Sequence, residues 1–129
     1  MSFRKNALCL AVVAWIPFTA MSQSIAEFEK LPSLSASDLT ARLTGKTFTT
    51  TGTNGTLWKI EYKSNGYVLI NVQQRGFSNS ISKPWRVEDS KICSTDRGVE
   101  ECKPARLDGS TLVVQVTPTD TVRYSEQSD

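Results

Sequence analysis

Along the chain of 129 residues the spacing of apolar positions changes twice, and each change predicts a boundary. The first pattern is an apolar run over 7–16, set behind Arg4 and Lys5 and ahead of the small-residue ending Ala20-Met21-Ser22. That order predicts a cleavable export signal over 1–22 and a mature N-terminus at Gln23. At about ten residues before Pro17, the run is well short of the roughly 20 a helix needs to cross a bilayer core. No stable membrane insertion is expected after cleavage. Cys9 has no small residue before it and lies early in the run, which argues against lipid attachment.

Residues 23–34 carry little periodicity and are expected as a flexible lead. A short helical pattern follows over 36–43. Ser35 can cap it, Asp38 places a negative charge in its first turn, and Leu34 with Leu39 occupy the positions of a hydrophobic staple. Gly45 supplies the stop. Two turns of helix are not stable alone, so Leu39 and Leu43 must lay one apolar stripe on the rest of the domain.

From Lys46 the period becomes two. In Trp58-Lys59-Ile60-Glu61-Tyr62-Lys63 large apolar groups alternate with charges, which puts Trp58, Ile60 and Tyr62 on one face of a strand. Ser64-Asn65-Gly66 then offers a tight hairpin turn tolerant of positive φ, with the return strand over 67–72. Residues 73–76 and 80–84 read as turn or edge material around a weaker strand at 77–82. Trp85-Arg86-Val87 alternates again. Strands at 91–93, 102–107, 111–116 and 121–124 follow, separated by a polar loop of eight residues between Cys93 and Cys102 and by turns at Asp108-Gly109 and Thr117–Asp120. A tail over 125–129 is expected to fray. The sum is one mainly β domain over 35–124, a small antiparallel barrel or sandwich of about seven to nine short strands with one N-terminal helix.

Charge and cysteines refine this picture. The chain has 15 basic and 13 acidic residues, and loss of Arg4 and Lys5 with the signal makes the mature domain formally neutral. A nucleic-acid footprint needs a clustered basic excess, and none is present. Lys83, Arg86, Lys91 and Arg97 alternate with Glu88, Asp89 and Asp96 and read as a solvated face. Removing 22 of 129 residues leaves 107, enough for one modest core. Cys9 leaves with the signal, so Cys93 and Cys102 remain as an even pair in an oxidising compartment and are expected to be bonded. In the chain-entropy description, closing so short a loop restricts the unfolded chain by about 2.7 kcal/mol.

The chain contains no histidine, which removes Ser-His and Cys-His nucleophilic pairs and nearly every imidazole-based metal site. No metal or other cofactor is expected. Glycines are scattered through turns, so there is no phosphate-cradling loop. Acid/base work by two carboxylates stays open, although nothing singles out a pair among Glu61, Glu88, Asp89, Glu100, Glu101 and Asp108. Trp58, Tyr62, Tyr67 and Trp85 could line a ligand pocket, but the strand period favours Trp58 and Trp85 as core residues. An eight-stranded barrel interior nearly filled by side chains leaves little room for a lipid. Ser64 and Tyr67, at the hairpin tip, are the candidate contacts to a partner.

The order of export signal, SASDLTARLTGK helix, YKSNG hairpin, PWRVEDSKIC and second cysteine resembles a family of small exported bacterial proteins, the domain of unknown function 995 family. Trp85, Val87, Asp89, Ile92, Cys93 and Cys102 carry the resemblance, which covers most of 35–124. That family usually has a glycine just before the tryptophan where this chain has Pro84, so the turn there departs from its pattern. The resemblance implies location and build and no activity. The leading functional expectation is therefore a periplasmic or secreted, non-enzymatic β domain that binds an envelope protein or a small ligand. The alternatives are an inhibitor of an envelope or host hydrolase, with 64–67 as the insertion loop, and a carboxylate-based hydrolase, which needs two carboxylates facing one cleft about 5 to 9.5 Å apart.

Overall fold

The computed structural model of the protein describes residues 25–52 and 54–127. The expected export signal lies outside the described residues. Eight antiparallel strands form a closed barrel in which each strand pairs with its neighbours in sequence. They are β1 (Lys46–Thr51), β2 (Leu57–Tyr62), β3 (Tyr67–Gln74), β4 (Phe77–Glu88), β5 (Lys91–Asp96), β6 (Val99–Asp108), β7 (Thr111–Gln115) and β8 (Thr121–Glu126). Two helices, α1 (Ile25–Glu29) and α2 (Ala36–Leu43), precede them. The architecture is thus the mainly β, disulfide-containing class expected, with a barrel rather than a sandwich.

Local chemistry accounts for α2 as anticipated. The Ser35 hydroxyl accepts the Asp38 backbone N–H at 3.2 Å, and Gly45, at φ +77°, takes the left-handed position after the helix. Leu39 and Leu43 are fully buried and join Phe48, Tyr62 and Tyr124 in one core cluster, so α2 closes one end of the barrel. Residues 25–34 are more ordered than a flexible lead. Phe28 is buried, the Arg106 guanidinium lies 5.4 Å from its ring centroid and donates to the Leu31 carbonyl at 2.8 Å, and Ser33 bridges to Arg106. A sequence-local pattern misses this because the partner of Phe28 is a cationic side chain about 80 residues on, by difference of residue numbers.

Three more expectations are corrected. The weaker strand at 77–82 and its flanking edge material form, with Trp85 to Glu88, one strand of 12 residues. Pro84 is tolerated within it because the half before Trp85 pairs with β3 alone, and a strand with one neighbour has no second ladder to break. The loop between the cysteines is mostly strand, turned at Arg97-Gly98, both at positive φ, with Cys93 directly opposite Cys102 and their sulfurs bonded at 2.08 Å. Finally, residues 125–127 do not lie free. Ser125 and Glu126 pair with Thr49 and Phe48, and the Gln127 N–H reaches the Thr47 carbonyl at 2.8 Å. This short ladder closes the barrel.

Across the closed end, the Tyr62 and Tyr124 hydroxyls meet at 3.0 Å. Phe48 packs 5.3 Å from Tyr124 and Trp85 packs edge-on 5.0 Å from Tyr62. Burial holds the Tyr62 phenol well above its usual pKa, helped by the neighbouring Tyr124, and burial also raises Tyr124. Both therefore remain neutral donors and acceptors. Tyr62→Phe leaves the Tyr124 hydroxyl without its partner and should cost about 1 to 2 kcal/mol in urea unfolding. The double variant Tyr62→Phe/Tyr124→Phe should cost clearly less than the sum of the two single changes.

Candidate functional site

The strand period that put Trp58, Ile60 and Tyr62 on one face puts all three on the inside of the barrel. Register carries the same face around the wall. Ile60 pairs with Ile70, Tyr62 with Val68, Val68 with Lys83, Trp85 with Ser94, Ser94 with Glu101, Ile92 with Lys103, and Val114 with Val122. Successive residues alternate faces, so every member of this set looks inward once one does. All of them but Trp85 line a cavity of about 390 Å³. Tyr62 and Tyr124 form its floor, and Ile60, Val68, Ile70, Ile92, Val114, Val116 and Val122 line it.

The interior is thus hollow at one end, and the expectation of an interior nearly filled by side chains is corrected. The reason is how bulk is distributed. Aromatic rings occupy the end sealed by α2, while the layers above carry valine and isoleucine. The wall also loosens there. Pairing of β4 with β5 ends at Trp85 and Ser94, and pairing of β6 with β7 ends at Ala105 and Val114. Among the described residues, the segment 95–104 is paired only within its own hairpin. Ser94, Glu101 and Lys103 reach the cavity from this hairpin.

Trp58 stands at the open end. It was expected in the core, but it is 38% exposed while lining the cavity. A Cβ built on Gly52 would lie 3.8 Å from the Trp58 Nε1, so the indole lies against bare backbone. Trp85 fits the expectation better. It is partly buried against the core, its N–H donates to the Gly66 carbonyl at 3.0 Å, and its Nε1 donates to the Lys63 carbonyl at 3.1 Å. Trp85 thereby ties down the 63–66 turn, in which only Gly66 takes a positive φ. Ser64 and Tyr67 belong to this turn at the end of β2 opposite Trp58. Tyr67 is 47% exposed, with the opposite strand parity to Val68, and faces outward. The structure therefore joins Trp58 and Tyr62 in one cavity, sets Trp85 against Tyr62, and leaves Ser64 and Tyr67 apart from them.

Lys83 is expected on a solvated face, Glu101 only as one of several carboxylates with no pair singled out, and Lys103 is not anticipated; all three line the cavity. The signal was available for Lys83. It lies two residues before Trp85 and so shares its face. Lys103 approaches Glu101 at 3.6 Å, and Lys83 has no ion-pair partner among the described residues. Outside the wall, Arg86 grips Glu100 with two bonds of 2.8 Å. Those bonds raise the Arg86 pKa and lower that of Glu100. Glu100 lies near both cysteines, but their sulfurs are spent in the disulfide, so this cluster offers no thiolate to a metal.

A second concavity of about 390 Å³ lies beside α2, lined by Arg42, Lys46, Phe48, Leu112, Tyr124 and Glu126 among others. Its apolar members are buried core residues, and Lys46 there is paired with Glu126 at 3.9 Å. The barrel lumen is the better candidate because its apolar lining is continuous and leads to an exposed indole. Glu101 is the one carboxylate among its lining residues, which leaves two-carboxylate hydrolysis without a partner group there. No family model, no curated protein and no solved structure matches this chain.

The two tryptophans should separate in stability. Trp85→Ala removes a packed ring and its hydrogen bond and should cost about 3 to 5 kcal/mol in urea unfolding. Trp58→Ala should cost less than half as much, because the ring is already partly in solvent.

Proposed function

We propose that this protein is an exported, non-enzymatic binding protein that takes a small, largely apolar ligand into the open end of its barrel. The observation that carries this reading is the lumen itself. About 390 Å³ falls at the lower end of the roughly 300 to 1,000 Å³ usual for small-molecule sites. Its lining has the composition such sites use, aliphatic walls with a few polar groups, and the half-exposed Trp58 marks its mouth. Export to the periplasm or beyond belongs to the same proposal and rests on the 1–22 pattern and the oxidised cysteine pair. Kinship with the domain of unknown function 995 proteins belongs to it too, on Trp85, Val87, Asp89, Ile92, Cys93 and Cys102.

The test is direct. N-phenyl-1-naphthylamine, a neutral apolar fluorophore, should bind the mature domain saturably at one site. Ile70→Trp places a large ring among the cavity walls and should weaken that binding at least about tenfold, or about 1.4 kcal/mol, with the circular dichroism of the fold kept. Absence of saturable binding, or full affinity in a folded Ile70→Trp variant, contradicts the lumen as the site. For export, intact mass of the protein from a secretion-competent host should correspond to a chain beginning at Gln23. A chain that still starts at Met1 contradicts it.

A further inference from the structure

We propose that the lumen selects single-tailed amphiphiles with an anionic head, the head held at Lys83 and Lys103 and the tail laid along the valine and isoleucine walls. This rests on the lumen being the binding site and adds what it recognises. Both lysines are on the inward face, as their pairing with Val68 and Ile92 requires, and both line the cavity. Each is placed where the wall opens. Lys83 lies just before the point at which β4 gains β5 as a neighbour, and Lys103 just before the point at which β6 gains β7. Lys103 stands on the self-paired hairpin and Lys83 on the strand beside it, so their ammonium groups can meet a ligand while their stems stay on apolar surface.

Charge balance favours an anion. Lys83 and Lys103 face one carboxylate in the lining, Glu101, whose side chain is 68% exposed against 36% for Lys103. Glu101 thus leans toward water, where its pull on Lys103 is screened, and Lys83 has no counter-charge among the described residues. An apolar wall with an unneutralised cation strengthens attraction to a negative head and disfavours a positive one. The cavity volume suits one short tail, of about ten carbons, rather than two.

The probes are decanoate, decan-1-ol and decylammonium, which share a tail and differ in head charge. Isothermal titration of the wild-type mature domain at low salt should give decanoate at least about tenfold tighter than decan-1-ol, with decylammonium weakest. In Lys83→Gln/Lys103→Gln the preference for decanoate should vanish while decan-1-ol binds within about twofold of wild type. A second measurement needs no substitution. Decanoate should protect Lys83 and Lys103 from reductive methylation in the wild-type protein more than decan-1-ol does. Equal affinity for decanoate and decan-1-ol overturns the head-group assignment and leaves the lumen as an apolar site. Preference kept in a folded double-glutamine variant, or no added protection by decanoate, overturns it as well. Failure of all three probes to bind overturns the lumen reading itself and this inference with it.

Discussion

Everything in this molecule depends on the first strand meeting the last. A sheet of eight strands exposes two rows of unpaired backbone groups unless its edges join, and joining them sets the diameter of the interior. Here the join is narrow, made by Phe48 and Thr49 of β1 with Glu126 and Ser125 of β8 and extended by the Gln127 N–H to the Thr47 carbonyl. With the circumference set, the side chains aimed inward decide whether the interior is solid or hollow. Four aromatic rings and the leucines of α2 make one end solid. Valine and isoleucine at the other end leave it hollow.

That division gives the two ends of the barrel different work. The sealed end holds most of the tight packing and the Tyr62–Tyr124 hydrogen bond, and Trp85 fastens the 63–66 turn to it. The open end has the exposed indole, the cavity and a wall segment with no ladder to β4 or β7 among the described residues. Binding sites are commonly built this way, with a rigid part that holds shape and a looser part that admits a ligand. The separation also sets Ser64 and Tyr67 apart from the cavity, so the hairpin tip gains no support as its companion.

What could be read in the sequence was what is local. The Ser35 cap, the glycine after α2, and the alternation of Trp58, Ile60 and Tyr62 all depend on neighbours a few residues apart. The cysteine pairing was legible because few cysteines were left to choose from. What could not be read depended on distant partners. Phe28 needs Arg106, Ser125 needs Thr49, and the Arg97-Gly98 turn lies in a mostly polar stretch with no apolar alternation to announce a strand. The cavity was hidden for a related reason. Each valine in it looks like an ordinary core residue, and empty space results from the whole set facing one another. Lys83 was hidden because a charged residue among other charges ordinarily faces water.

The disulfide joins residues that already face each other across one hairpin. It closes no long loop and ties no distant parts of the chain together, so the topology of the barrel owes it little. What it does is clasp the root of the segment 95–104, below which the hairpin is laddered into the wall and above which, among the described residues, it has no ladder to β4 or β7 and is tied to β4 through Arg86 and Glu100. The two arms of that hairpin are therefore coupled like the blades of closed shears. The backbone ladder between β5 and β6 also joins them, so the clasp reinforces a coupling the fold already supplies and leaves the outline of the vessel alone.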